Sequence, residues 1–358
     1  MPPVTTARLF TLGPVEMDND TLRLGSTRLP YFRTSDFADV MLEIESMTKA
    51  LIGTDAASRL AILAASGTGA MEAAVISTFT RLDKVLVVEG GDFGRRFGQI
   101  CRVHGIPYEP LHLAFGEELT LDHIQKYDAK GFTGMLVNIH ETSTGQLYNI
   151  DLIRSFCQAN QILLVIDAIG SFLADYYHMD NFKADVTILS SQKGLGLPPG
   201  LSLVVANHST CEKRIFPNSP TSFYFALSRY FTDMLRGQTP FTPAQSIVYQ
   251  LHDKLRRITQ AGVESYIHHS AMLASDLRSR LTCLPLVVPE YNLSNALTPV
   301  ICEKAYDIFL RLKEEHDMYV NPAGGDFKEV LLRIGHLGNL TVDDNRSLVE
   351  ALQIVMTS

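Results

Sequence analysis

Short apolar runs alternate with stretches of helical apolar spacing from about residue 60 to residue 206. Leu60 to Ala65, Lys84 to Val88, Met135 to Ile139 and Ile162 to Ala168 read as strands. Between them, Gly69 to Phe79, Arg95 to His104 and Asp151 to Asn160 read as helices. Val186 to Leu189 and Leu201 to Ala206 add two more strands. Alternation of this kind predicts an α/β domain whose mainly parallel sheet is covered by helices. After about Thr242 the character changes. Pro243 suits a first helical turn, Gln245 to Ile258 and a segment from Glu264 to about Leu281 carry helical spacing, and short strands then alternate with helices. Those strands are Leu284 to Val288, Leu297 to Cys302 and Val330 to Ile334, and the helices are Ala305 to Glu314 and Asp343 to Val355. The expected organisation is an arm over residues 1–20, a large domain over 21–255 and a small C-terminal α/β domain over 256–358.

Two strands in this pattern frame a lysine. Val186 to Leu189 runs into Ser190-Ser191-Gln192-Lys193-Gly194-Leu195-Gly196-Leu197-Pro198-Pro199-Gly200, and the next strand begins at once. A lysine at the end of a core strand must reach water or have its ammonium neutralised by desolvation or chemistry. The glycines after it leave room for something bulky beside the amine. Upstream, Ile162 to Ile166 ends in Asp167, at the carboxyl end of a parallel strand, where open α/β sheets bind ligands. A carboxylate there needs a cationic partner, and a protonated pyridine nitrogen supplies one. Asp167 followed by Lys193 points to pyridoxal phosphate.

Composition sets the frame. With 358 residues, 46% hydrophobic and 20% charged, the chain has material for a large core and two domains. A formal charge of −8 argues against nonspecific nucleic-acid binding, which depends on clustered Lys and Arg. No apolar run approaches the roughly 20 residues of a membrane span. The opening Met1-Pro2-Pro3-Val4 lacks the basic start and apolar core of a signal peptide, so the expectation is a cytoplasmic protein with neither nucleic-acid nor membrane partners. Five cysteines without a C-x-x-C pair indicate neither a disulfide framework nor a zinc site, and no metal is expected.

Three further motifs carry chemistry. Ala65-Ser66-Gly67-Thr68-Gly69 joins a strand to a helix, so backbone N–H groups and two hydroxyls meet at a helix N-terminus, a ready anion site. Gly90-Gly91-Asp92-Phe93-Gly94 makes a second strand-to-helix turn, and His140-Glu141-Thr142-Ser143-Thr144-Gly145 ends a third strand. Leu332-Arg333-Ile334-Gly335-His336-Leu337-Gly338 puts an arginine inside an apolar strand, costly unless a ligand or an acidic partner pairs it.

In this order and spacing, from Gly13-Pro14-Val15 to Gly338, the motifs resemble the class V, fold type I pyridoxal-phosphate aminotransferases, and especially the alanine/serine–glyoxylate and 2-aminoethylphosphonate–pyruvate branch. The resemblance implies the PLP-dependent transferase fold type I, with a mainly parallel, seven-stranded-type sheet in the large domain. It implies a homodimer with the active site at the interface, and a transaminase moving an amino group from a small amino acid or amine to pyruvate or glyoxylate. By the same resemblance Lys193 is the Schiff-base lysine and proton shuttle, and Asp167 pairs with the pyridinium. Ser66, Gly67, Thr68 and Gln192 hold the phosphate, Phe93 stacks on the ring, Thr142 bonds near the phenolic oxygen, and Ile169 belongs to the cofactor site. Thr242 reaches the neighbouring subunit's phosphate, Arg333 clamps the substrate carboxylate, and Gly13 supplies backbone to the same place. His140 is assigned no catalytic role.

The chain departs from the family at Thr239, where a Tyr is usual, and at Phe32-Arg33, where His-Arg is common. Gln192 leans toward the alanine/serine–glyoxylate branch, since the aminoethylphosphonate enzymes more usually carry Asn. Three alternatives stay open: 2-aminoethylphosphonate–pyruvate aminotransferase specifically, a same-fold lyase such as a cysteine desulfurase, and a non-catalytic homologue that keeps the fold for binding.

Overall fold

The computed structural model describes residues 7–357, so the first six residues of the expected arm lie outside the described residues. The apolar runs form a seven-stranded sheet: β1 (Arg59–Leu63), β2 (Val85–Glu89), β3 (Tyr108–His112), β4 (Gly134–Asn138), β5 (Leu163–Asp167), β6 (Val186–Ser190) and β7 (Ser202–Ala206). Their order across the sheet is β1-β7-β6-β5-β4-β2-β3. Only β7 runs against its neighbours; it is antiparallel to both β1 and β6, while the remaining pairings are parallel. The sheet is therefore mixed but mainly parallel. A strand running back directly from the Lys193 turn can only return antiparallel, because a parallel return needs a longer crossover.

Alternate residues of each strand enter opposite cores. Leu60 and Ile62 pack on one face, with Leu164 and Ile166; Ala61 and Leu63 pack on the other, with Val165. Helices α1 (Ser35–Ile52), α2 (Gly67–Thr78), α3 (Asp92–His104) and α4 (Ile150–Ala159) flank the sheet. The first of these lies outside the expected pattern. Its Phe37, Met41 and Ile44 recur at helical spacing and are fully buried, Thr34 caps its N-terminus, and Gly53 closes it in the left-handed region at φ 66°.

Beyond the sheet, α5 (Gln245–Ala261) and α6 (Val263–Leu281) lead to the smaller C-terminal unit, with β8 (Leu297–Ile301), α7 (Ala305–His316), β9 (Asn321–Pro322), β10 (Leu331–Gly335) and α8 (Val342–Thr357). Strand β10 lies between β8 and β9, antiparallel to both. Position 255 falls inside α5, and Leu255 and Ile258 of that helix belong to the core of the larger unit. The expected strand from Leu284 to Val288 does not form; only Val287 makes an isolated bridge, to Ile301. Pro285 lies inside the run and Pro289 follows it directly, and neither has an N–H to extend a ladder. The described part of the N-terminal segment is tied to the smaller unit: Arg8 and Leu9 pair with Met318 and Tyr319, and Phe10 is fully buried in that core.

Candidate active site

Because β7 is the only reversed strand, β1, β2, β4, β5 and β6 all end at one edge of the sheet. The turns that follow them carry Ser66, Phe93, Thr142, Asp167 and Lys193. These side chains line one cavity of about 170 Å³ together with Gly13, Gly67, Thr68, Ile169 and Gln192. Every cofactor-site residue expected from the sequence faces it except Thr242, which is exposed on the segment before α5. Arg333 borders the site through Thr142 rather than lining that cavity.

Three lysines among the described residues are buried: Lys49, Lys193 and Lys254. Lys49 sits 2.8 Å from Glu45, and Lys254 is bonded to Asp18. Both are neutralised by a carboxylate. Lys193 has no such contact; its Nζ donates to Thr142 Oγ1 at 3.1 Å and lies 5.2 Å from the centre of the Phe93 ring. Burial lowers its pKa, against the pull of Asp167 and Glu141. An amine held this way reaches its neutral, nucleophilic form more readily than a surface lysine does.

Asp167 ends β5 almost fully buried. Desolvation raises its pKa to about 6, opposed by the Ile169 N–H, which donates to Oδ1 at 2.8 Å, and by Lys193. No side-chain cation bonds it among the described residues. A buried carboxylate with one backbone donor is half-satisfied and suits a cationic ligand atom.

The anion end is built at the start of α2. Ser66 is the N-cap, yet its hydroxyl makes no capping bond. The first-turn N–H groups and this hydroxyl thus remain available, in the positive field of the helix end. Gly67 lets the helix start come close to the cavity wall: a Cβ there would fall 2.5 Å from Ile169 Cδ1, which would have to shift. Arg96, on the first turns of α3, donates to Thr68 Oγ1 at 3.0 Å and stacks over Phe93 at 4.7 Å. The sequence reading passed over Arg96, although it stands three residues after Phe93. Its pairing with Thr68 joins two separate turns and leaves no local signal.

Glu141 is the second residue that sequence reasoning missed. Fully buried, it accepts from Asn138 Nδ2 at 2.7 Å, Ser143 N at 2.9 Å and Gly94 N at 3.2 Å. These bonds fix the turns after β2 and β4 against each other, which sets the distance between Phe93 and Thr142. Gly91 lies in the same contact, since a Cβ there would be 2.4 Å from the Glu141 carboxyl carbon.

Arg333 stands in the middle of β10, half-buried. Its Nη1 donates to the Thr142 carbonyl at 3.3 Å and its Nη2 to that of Pro322 at 2.9 Å, and its Nε has no partner. Burial lowers its pKa, opposed by Asp92 and Glu141. No carboxylate neutralises it directly. Lys193, Arg96 and Arg333 thus lie near the buried carboxylates Asp167 and Glu141, with Asp92, itself paired to Arg95, at the rim. Gly13, at φ +137°, brings the N-terminal segment against the lysine; a Cβ there would be 3.0 Å from Gln192 O and 3.1 Å from Lys193 Cγ. Arg33 donates instead to Gln238 Oε1 and the Thr239 carbonyl, away from the cavity.

The turn that presents Lys193 tolerates no side chain at the next position. A Cβ on Gly194 would lie 2.1 Å from the Phe172 carbonyl oxygen. Gly194→Ala is expected to destabilise the protein by roughly 1–3 kcal/mol and to displace Lys193. Thermal unfolding and cofactor titration of the variant check both effects.

Four likenesses accompany this geometry. Residues 27–301 match the family described as aminotransferase class-V. The chain is 30% identical, over 98% of its length and 93% of the other protein, to a protein named soluble hydrogenase, small subunit, of Synechococcus sp. (strain PCC 6716). It is 28% identical, over 87% of its length and 81% of the other, to the L-aspartate–glyoxylate aminotransferase of Paracoccus denitrificans. The fold matches that of pyridoxamine–pyruvate aminotransferase from Mesorhizobium loti with a TM-score of 0.92 at 22% identity, over 100% of this chain and 94% of the other.

Proposed function

The chain belongs to the class V aminotransferases, pyridoxal-phosphate-dependent transaminases, and from that premise we propose that Lys193 carries the cofactor in a transamination between a small amino acid or amine and a 2-oxo acid such as pyruvate or glyoxylate. One observation carries the proposal. Lys193 is the only buried lysine among the described residues without a carboxylate contact, and it shares a cavity with a half-satisfied buried carboxylate and a helix N-cap whose Ser66 hydroxyl makes no capping bond.

The residues present fit the group. Ser66, Gly67, Thr68 and Gln192 would hold its phosphate, with Arg96 adding charge through Thr68; Asp167 would pair with its ring nitrogen, and Phe93 and Ile169 would flank the ring. When bound, pyridoxal phosphate supplies an electron sink for the charge released at the substrate α-carbon. Lys193, once free of covalent duty, would take the α-proton on Nζ and deliver it to the second position of the 1,3-proton shift that transamination requires, helped by a pKa already lowered by burial. Thr142 orients that Nζ through its hydroxyl. Arg333, anchored by two backbone carbonyls, presents its remaining donors to the substrate carboxylate. Gly13 and Gln192 close the inner wall and keep water from the amine.

The same reading includes a homodimer in which Thr242 of each chain meets the partner's phosphate end. Exposed Thr242 supports it, as do the exposed apolar rings of Tyr31 and Phe223. The surface around Phe223 adjoins the anion cradle: a Cβ on Gly69 would lie 3.2 Å from Phe225. A cytoplasmic location belongs to the reading too. All five cysteines are free, in keeping with a reducing compartment, and no helix of the described residues is long and apolar enough to cross a membrane.

Arg333→Lys tests the substrate half. It keeps the charge but loses the planar fork, and it is expected to raise KM for both the amino acid and the oxo acid by roughly 10–100-fold with a smaller change in kcat. Amine donors without a carboxylate should be unaffected. Equal loss with both donor types would remove Arg333 from the carboxylate role.

A further inference from the structure

His140 is packed into the wall of the cavity beside Lys193, Thr142 and Gly170. Its side chain is 4% exposed; the Gly170 backbone lies against one ring nitrogen without a well-formed hydrogen bond, and the other ring nitrogen has no partner among the described residues. A buried polar group left unpaired is destabilising, and native structures rarely keep one without a purpose. The neighbouring chain is shaped to admit the ring: a Cβ on Gly170 would lie 2.5 Å from Nδ1, so only glycine fits there. An apolar residue would fill this space at no such cost. The position nonetheless carries an imidazole, walled by residues that all face the cofactor cavity.

We propose that His140 is a hydrogen-bonding residue of the cofactor site, its imidazole pairing through the nitrogen remote from Gly170 with a polar group of the bound pyridoxal phosphate. The inference rests on the reading of the site given above and adds a residue to it. Burial, reinforced by the positive charges of Lys193 and Arg278 and opposed by the Gly170 backbone, lowers the His140 pKa to about 3. The ring is therefore neutral at working pH, with one donor and one acceptor nitrogen. Neutrality suits the place. A second cation next to Lys193 would lower the lysine's affinity for its proton further and would compete with the pyridine nitrogen for Asp167. A neutral imidazole gives a directional bond without that interference.

Titration of the purified apo-protein with pyridoxal phosphate, read by the absorption and circular dichroism of the bound cofactor, separates the outcomes. His140→Leu keeps the volume and removes both nitrogens; it should weaken cofactor binding about tenfold and shift the absorption maximum. His140→Gln restores a neutral donor and acceptor at the remote position and should recover most of the affinity. The thermal transition of each apo-protein reports whether it is folded. Wild-type affinity and spectrum in His140→Leu would overturn the inference, and so would equal losses in the two variants, which would assign packing rather than hydrogen bonding. A wild-type protein that binds no pyridoxal phosphate would instead overturn the site reading itself and take the inference with it.

Discussion

Lys193→Ala is expected to lose transamination by on the order of a thousandfold or more, the contribution of a positioned acid–base group and of covalent attachment together. The expectation follows from how the chain treats its buried lysines. Lys49 and Lys254 are paired with Glu45 and Asp18 and serve the fold. Lys193 is set against a hydroxyl and an aromatic face, and burial lowers its pKa. A group kept in such a state serves chemistry more readily than stability. Removing it deletes a poorly compensated buried charge, so the apo-protein should be at least as stable as the wild type. Single-turnover absorbance changes with an amino donor measure the activity, and thermal unfolding measures the stability. A variant that loses activity only by unfolding would leave the role of Lys193 unsupported.

Asp167→Asn should move activity and stability in opposite directions. Its carboxylate is raised to about 6 by burial. The folded state therefore binds its proton more tightly than the unfolded state, and apo stability falls as pH climbs from about 4 to about 6. Above that range the loss persists, on the order of 2–3 kcal/mol. Asparagine keeps the acceptor for the Ile169 N–H without the charge. The apo variant should consequently be more stable than the wild type at pH 8 and equal to it near pH 4. Its transamination rate should drop by roughly 10²–10³-fold, because the bound ring loses the anion that favours its protonated form. Thermal melts at the two pH values together with half-reaction rates check the pair. Loss of both stability and activity would mean that Asp167 holds the fold rather than the cofactor.

Much of this architecture is written locally. The strands ending in Asp167 and leading to Lys193 are continuous apolar runs, and a charged residue at the end of such a run stands out against its neighbours. The turn glycines mark the helix N-terminus at Ser66 and the aromatic turn at Phe93 in the same way. Edge strand β3 was less legible because only Leu111 is buried and Pro110 interrupts it. Contacts between distant turns left no pattern at all. Arg96 and Thr68 meet across two helix starts, Lys193 finds Thr142 from 51 residues away, and Gly13 reaches the lysine from the other end of the chain. His140 was readable only as an ordinary core or rim histidine, since the missing partners of its ring become visible only when the surrounding wall is in place. Thr242 stays exposed in the single chain, so its expected role depends on a second copy.

The measurement that bears most directly on the central claim is chemical reduction of the protein loaded with pyridoxal phosphate, followed by peptide mass mapping. Reduction fixes the cofactor to whichever amine holds it. The account predicts one cofactor per chain, on the peptide containing Lys193, with no label in Lys193→Ala. Label on Lys49 or Lys254, or none on the Lys193 peptide of a protein that binds the cofactor, would contradict it.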